Sequence, residues 1–225
     1  MTHFLRTRAE TLTECMDEPG CDPQKLARTY GQFASINALL SGWTQIYQRE
    51  LRPALGEGAR TVLDIGCGGG DVVRHLARLA LRDGLSATFL GVDPDPRAIA
   101  FAHEQENPNN VRFEQTDAYS LRTRFDLVLS NHVLHHLADE DILTLCTACE
   151  RLAMVRVVHN DLCRDDRALA LFPLIGGWFQ GSYILEDGLR SIRRAFTATE
   201  LQALAPTGWT VQTSAPFRLQ LQWKP

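Results

Sequence analysis

From Arg60 onward the chain alternates short β-branched runs with amphipathic helical stretches, joined by only a few residues each time. Residues 61–65, 87–93, 111–115, 125–130 and 154–159 read as strands. Residues 71–81, 96–106 and 139–152 read as helices, the second opened by Asp95-Pro96. Parallel neighbours need a crossover, and helices on the crossovers cover both faces of the sheet. The predicted class is therefore α/β, with a mostly parallel sheet.

The flanks differ. Leu26, Tyr30, Phe33, Ile36, Leu39 and Leu40 recur at helical spacing, Ser41-Gly42 interrupts them, and residues 43–51 continue. Pro53 and Gly56-Glu57-Gly58 close this part. Residues 1–58 are thus expected to be an N-terminal helical segment contributing to a lid. Residues 59–225 are expected to be the main domain, with an apolar, glycine-interrupted helical cap at about 164–195. Thr197 and Glu200 have the spacing of a capping box. Residues 209–213 and 217–223 read as final strands. Their joint, Ser214-Ala215-Pro216, is too short for a crossover, so they are expected to pair antiparallel.

Composition excludes several classes. The 225 residues are 44% hydrophobic and 22% charged, with net charge −4. A duplex nucleic-acid binder carries a surplus of basic residues, so no nucleic-acid partner is expected. The most apolar window, residues 168–184, contains Pro173, Gly176, Gly177 and Gly181 and is shorter than the roughly 20 apolar residues of a spanning helix. No stable membrane insertion is expected, and residues 1–20 show no signal-peptide core. The six cysteines form no disulfide framework, and Cys146-x-x-Cys149 falls on a helix, where core packing is the plain reading. No metal is expected. A reducing, cytoplasmic setting and a monomer or homodimer are expected.

The first strand runs into Gly66-Cys67-Gly68-Gly69-Gly70. A glycine-rich turn before a helix lets backbone approach a ligand and aims N–H groups at it. Here position 71 is Asp, where a dinucleotide fingerprint has its third glycine. Asp64 stands two residues before the first glycine, and its carboxylate would repel a pyrophosphate. It suits a phosphate-free ligand with an amino group and a cationic sulfur, and S-adenosylmethionine is such a ligand. Asp93 ends the second strand, where an acid accepts ribose hydroxyls, and Pro94 presses on the adenine. Asp117 and Ala118 follow the third strand, toward the adenine amino group, and Asn131 follows the fourth, toward the methionine part.

These motifs, Val62-Leu63-Asp64-Ile65-Gly66-Cys67-Gly68-Gly69-Gly70, Gly91-Val92-Asp93-Pro94-Asp95, Asp117-Ala118 and the run from Phe125 to Leu137, resemble in order those of class I S-adenosylmethionine-dependent methyltransferases. The resemblance covers residues 60–160. It implies a Rossmann-like seven-stranded sheet with an antiparallel last strand, and Asp64, Gly66, Cys67, Gly68, Asp93, Pro94, Asp117, Ala118 and Asn131 as cofactor-binding residues. Leu26-Ala27-Arg28-Thr29-Tyr30, Asn37-Ala38-Leu39-Leu40-Ser41 and Arg194-Ala195-Phe196-Thr197 are similar to small-molecule members acting on quinones, phenols and polyketide-like rings. In that group a Tyr-Asp pair is usual, whereas Gly31 follows Tyr30 in this chain.

Methyl transfer from a sulfonium is an in-line displacement that needs alignment and exclusion of water. A phenolic acceptor also gains from a base. His132, beside Asn131, and His159, with Asp161 to orient it, are the candidate bases; His135-His136 reads as a structural pair on the turn. Tyr30, Trp178 and Arg194 are candidate substrate contacts, the last for an acidic group, with Phe172, Phe179 and Tyr183 as further aromatic residues of the cap. The expected function is methylation of oxygen or carbon on a hydrophobic small molecule. A catalytically silent binding module of this fold and a nicotinamide-dependent oxidoreductase are the alternatives.

Overall fold

The computed structural model describes residues 5–225; residues 1–4 of the predicted N-terminal segment lie outside the described residues. Helix α1 (Pro23–Leu40) starts where Asp22 accepts the N–H groups of Gln24 and Lys25 and Pro23 sets the first turn. It ends at Gly42, which takes a left-handed φ of 72°. The chain continues helically through α2 (Trp43–Ile46), a wider turn (Tyr47–Leu51) and α3 (Arg52–Gly56), so Pro53 sits in a first helical turn and does not end the segment.

The sheet follows: β1 (Thr61–Ile65), α4 (Asp71–Arg82), β2 (Thr88–Asp93), α5 (Pro96–Glu104), β3 (Val111–Gln115), β4 (Phe125–Asn131), α6 (Asp139–Leu152) and β5 (Ala153–Leu162). Helices α7 (Asp166–Gly176), α8 (Ile184–Arg194) and α9 (Ala198–Leu204) precede β6 (Thr210–Ser214) and β7 (Arg218–Trp223). The predicted capping box at Thr197 and Glu200 is present. Seven strands pair in the order β3-β2-β1-β4-β5-β7-β6. Strands β1 to β5 run parallel to one another, and β7 runs antiparallel to β5 and to β6, the latter as the short joint predicted.

Strand alternation divides the core. Val62, Leu127 and Leu129 face α4 with Val73, Leu76 and Phe89, while Leu63 and Val128 face α6 with Ile142, Leu145 and Cys146. Each fully buried aliphatic side chain contributes about 1.5–3 kcal/mol. Cys146 and Cys149 are fully buried in the second layer, and burial pushes both thiols up, as for packing residues and not reactive ones.

One predicted boundary needs correction. Strand β5 reaches Leu162 because it pairs with β7 through Asn160↔Gln220 and Asp161↔Leu219. Asn160 and Asp161 are therefore strand residues with fixed facing. Order reverses between β1 and β4, which are neighbours although β2 and β3 lie between them in sequence. That reversal opens a crevice at the carboxyl ends of the strands.

Candidate active site

A cavity of about 620 Å³ lies at this crevice. One end is polar and built by strand ends: Asp64, Gly66, Cys67 and Gly68 after β1, Asp93 and Pro94 after β2, Asp117 and Ala118 after β3, and Asn131 after β4. All nine residues expected around the cofactor line it. The glycine turn requires its composition: Gly66 has φ 66°, and a Cβ there would lie 2.6 Å from Val133. At Gly68 (φ 53°) nothing lies within 4 Å of the Cβ position, so the backbone faces open space.

The acids of this end are held differently. Asp93 accepts the N–H of Gly68 and of Asp95, both at 2.9 Å, and so also shapes the glycine turn. Burial raises its pKa despite these bonds. Asp64 is 3% exposed, and its Oδ1 has no hydrogen-bond partner among the described residues. Burial first, then Asp71 and Asp93, pushes this carboxyl well above the usual range. An orphaned buried carboxylate oxygen fits a cationic amino group. Asp71, read from the sequence only as a departure from the dinucleotide fingerprint and not as a site residue, also lines the cavity and accepts from Nδ2 of Asn37 on α1 at 2.9 Å. Its signal was its position, the first residue of α4 after the glycine turn.

The other end is apolar: Leu162, Leu171, Phe172, Ile175, Ile184, Ile192 and Phe217 line it. An N-terminal strap, residues 5–21, covers one side and contributes Glu14, Met16 and Asp17. Helix α8 ties it down: Asp187 accepts the N–H of Cys15 at 2.6 Å and of Met16 at 3.0 Å, and Arg190 donates to the Thr13 carbonyl at 2.6 Å.

The candidate substrate residues separate. Tyr30 is buried and lines the cavity, against Phe33 and Phe101. Burial first, then Asp95 and Asp93, pushes its hydroxyl up, so it stays protonated. Trp178 is 81% exposed and does not line the cavity, because it follows the end of α7 and projects outward. Arg194 is buried but also outside the lining. Its guanidinium donates to the carbonyls of His135 and His136 at 3.1 Å each, which consumes it structurally. Of the cap aromatics, Phe172 lines the cavity, whereas Tyr183 is turned to α1, its hydroxyl accepting the Asp22 N–H at 2.8 Å.

The candidate bases also separate. His159 is fully buried, stacked on Trp209 and outside the cavity lining; its Nδ1 meets Ser130 Oγ at 2.6 Å. Burial lowers it to about 4. It is a neutral core ring, a correction to the expectation that it reaches substrate. The reason lies in β5. Asp161, one strand repeat or about 7 Å further on, overshoots His159 and meets His135 at the rim. His132 does line the cavity, with its backbone at φ 61°. Its Nε2 accepts from Arg218 Nη1 at 2.9 Å, which leaves the hydrogen on Nδ1. Burial and then Arg218 hold it well below the usual histidine range. It is a neutral donor, not a free base.

His135 is 1% exposed and bonded at both nitrogens, Nδ1 to Asp161 Oδ1 at 2.7 Å and Nε2 to Glu14 Oε1 at 3.1 Å. Burial opposes its charge, but Asp161 and Glu14 raise it to about 9. Donor atoms of Glu14, His135 and His136, and of His132, His135 and Asp161, come within 4.8 Å of one another. With both nitrogens protonated, His135 offers neither group a lone pair for a cation.

Comparison with known proteins agrees with this geometry. Residues 62–154 match the methyltransferase domain family. The chain is 36% identical over 139 residues to a ubiquinone biosynthesis O-methyltransferase of Cereibacter sphaeroides, covering 59% of this chain and 53% of that protein. It is 34% identical over 166 residues to its counterpart in Agrobacterium fabrum, covering 68% and 63%. The chain thus spans about half the length of the first of these relatives. The structure of a plantazolicin methyltransferase in complex with SAH superposes on 89% of this chain and 95% of its own, with TM-score 0.59 and 14% identity. Human N-acetylserotonin methyltransferase in complex with SAM superposes on 88% and 57%, with TM-score 0.52 and 15% identity. Residues 62–154 of this chain thus carry a methyltransferase domain, and the sheet order and the glycine turn are those expected of S-adenosylmethionine-dependent methyltransferases.

Proposed function

We propose that the chain methylates an oxygen of a hydrophobic small molecule, such as a phenol or a quinone precursor, with S-adenosylmethionine as donor. One observation carries this reading: a single cavity joins an acidic, glycine-lined end to an apolar end of aliphatic and phenylalanine side chains. When bound, S-adenosylmethionine supplies an electrophilic methyl group on a sulfonium. Asp64 receives the amino group, Asp93 the ribose hydroxyls, and Pro94, Asp117 and Ala118 border the adenine. Asn131, whose Oδ1 is fixed by Asn160 Nδ2 at 3.1 Å and Arg218 Nη2 at 3.2 Å, faces the methionine part. The strap and α7 screen the apolar end from water, and Tyr30 lines the same cavity. The name shared by the two relatives, ubiquinone biosynthesis O-methyltransferase, favours oxygen over carbon.

The acids Asp64 and Asp71 on the cavity wall disfavour a nicotinamide coenzyme, whose diphosphate they would repel. Six free thiols accord with a reducing, cytoplasmic setting. Among the described residues no helix is long and apolar enough to cross a membrane. The net charge of −4 accords with a substrate other than nucleic acid. Incubation with S-adenosylmethionine and a panel of catechols, hydroquinones and polyketide phenols, read by mass spectrometry, tests the reading. A methyl increment on one class supports it. Cofactor binding with no product across the panel would favour a silent binding module.

A further inference from the structure

The geometry points to His136 as the group that takes the proton from the methyl-accepting hydroxyl. This rests on the methyl-transfer reading above and adds its acid–base partner. The other three histidines near the strand ends are each committed elsewhere. His159 is sealed behind the sheet on Ser130 and Trp209. His132 has given its Nε2 lone pair to Arg218. His135 is a clamped imidazolium between Asp161 and Glu14. His136 remains. It lines the same cavity, and its side chain keeps 32% of its surface accessible.

Its surroundings orient it as a proton acceptor. Nδ1 lies 3.3 Å from Asp17 Oδ2 on the strap, an ion-pair contact that leaves Nε2 as the ring nitrogen turned away from Asp17. Nε2 is 3.8 Å from Glu14 Oε2, too far for a hydrogen bond, so carboxylates flank both nitrogens and would stabilise the imidazolium that proton uptake forms. The backbone behind the ring is pinned by Arg194, which donates to the His136 carbonyl at 3.1 Å. Arg8 donates to the carbonyls on either side, at His135 (3.3 Å) and Leu137. The charged and titratable groups around it are Asp17 and Glu14 from the strap, the His135 ring at 4.3 Å on its own turn, Arg194 from α8 and Arg8 from the strap.

The step balances. The substrate O–H bond breaks and its proton goes to His136 Nε2. An oxygen lone pair forms the O–CH₃ bond, the methyl–sulfur bond breaks, and its electron pair stays on the now neutral sulfur. The imidazolium so formed faces the Asp17 and Glu14 carboxylates, and its exposed edge returns the proton to water.

Two measurements on the full chain test this. Diethyl pyrocarbonate acylates accessible unprotonated imidazole, and tandem mass spectrometry locates the label. His136 is expected to be labelled before His132, His135 and His159, and more slowly with S-adenosylhomocysteine and catechol present. Labelling of His132 or His159 first would overturn the assignment. With the best panel phenol, His136→Ala is expected to lose about 10²–10⁴-fold in kcat. It should keep S-adenosylhomocysteine affinity, lose the acidic limb of the pH–rate profile, and be partly rescued by imidazole. Asp17→Asn should lose less. Wild-type rate and pH profile in His136→Ala would overturn the proposal while leaving methyl transfer intact. So would a divalent-cation requirement that the same substitution abolishes. A wild type that labels as expected but neither binds S-adenosylhomocysteine nor methylates the panel would overturn the methyl-transfer reading instead.

Discussion

His135 Nδ1 lies 2.7 Å from Asp161 Oδ1, and the backbone N–H of His135 meets the other oxygen of the same carboxylate at 3.0 Å. This two-point contact ties the turn after β4 to the end of β5. Across the ring, Glu14 extends the array into the strap and accepts Ser191 Oγ from α8 at 2.6 Å. Three distant parts of the chain therefore meet on one imidazolium.

Stability should depend on pH through this array. Burial opposes the His135 charge, but the carboxylates raise it from 6.5 to about 9. Its contribution is whole below pH 6.5 and is lost as pH rises through about 9. Glu14 is opposed by burial yet lowered from 4.5 to about 2 by His135 and His136, so its contribution is present above pH 4.5 and lost toward pH 2. The array's own contribution should be greatest between pH 4.5 and 6.5, against the loss that neutral His132 and His159 impose as pH falls below 6.5. His135→Gln, which strands two buried carboxylates, should cost about 3–5 kcal/mol and flatten the alkaline limb. Urea titrations across pH check this; an unchanged alkaline limb in the variant would refute it.

Asp64 trades stability for binding. Its carboxyl pKa is raised by burial and by Asp71 and Asp93, so ionisation costs folding energy, and the cost grows as pH rises above the ordinary value of 3.8. Asp64→Asn should stabilise the ligand-free protein by about 1–3 kcal/mol at pH 7 and weaken S-adenosylhomocysteine binding. Thermal melts with and without ligand read both effects. A variant with a lower ligand-free Tm would speak against a buried, unpaired charge at this position.

Asp93 both shapes the glycine turn and faces the cavity. Asp93→Ala should weaken S-adenosylhomocysteine binding by about 1.5–3 kcal/mol, and Asp93→Asn, which keeps one acceptor, by less. Equal affinities for wild type and Asp93→Ala would remove the residue from the site.

His159→Ala should behave as a core substitution. Losing the ring stacked on Trp209 should cost about 2–4 kcal/mol of stability, with the pH–rate profile of the folded fraction unchanged. A changed profile would return His159 to the chemistry.

The sheet was legible because strand and helix periods alternate cleanly from β1 to β5, and all nine expected cofactor residues line the cavity because that chemistry gathers at strand ends. The histidines were not separable by sequence. Local spacing shows that His132, His135 and His136 share one turn but not that Arg218, 86 residues away, occupies one of them. Nor does it show that Glu14, 121 residues away, occupies another. Asp161 looked like a partner for His159 because they are close in sequence; the strand rise sends it to His135. Trp178 and Arg194 carried the right chemical types, yet one lies past a helix end and the other is spent on backbone carbonyls.

Calorimetric titration of the full chain with S-adenosylhomocysteine tests the central claim most directly. One ligand per chain should bind, with affinity reduced in both Asp64→Asn and Asp93→Ala. A correctly folded protein that gives no binding heat at millimolar S-adenosylhomocysteine, or that binds a dinucleotide in its place, would contradict the account.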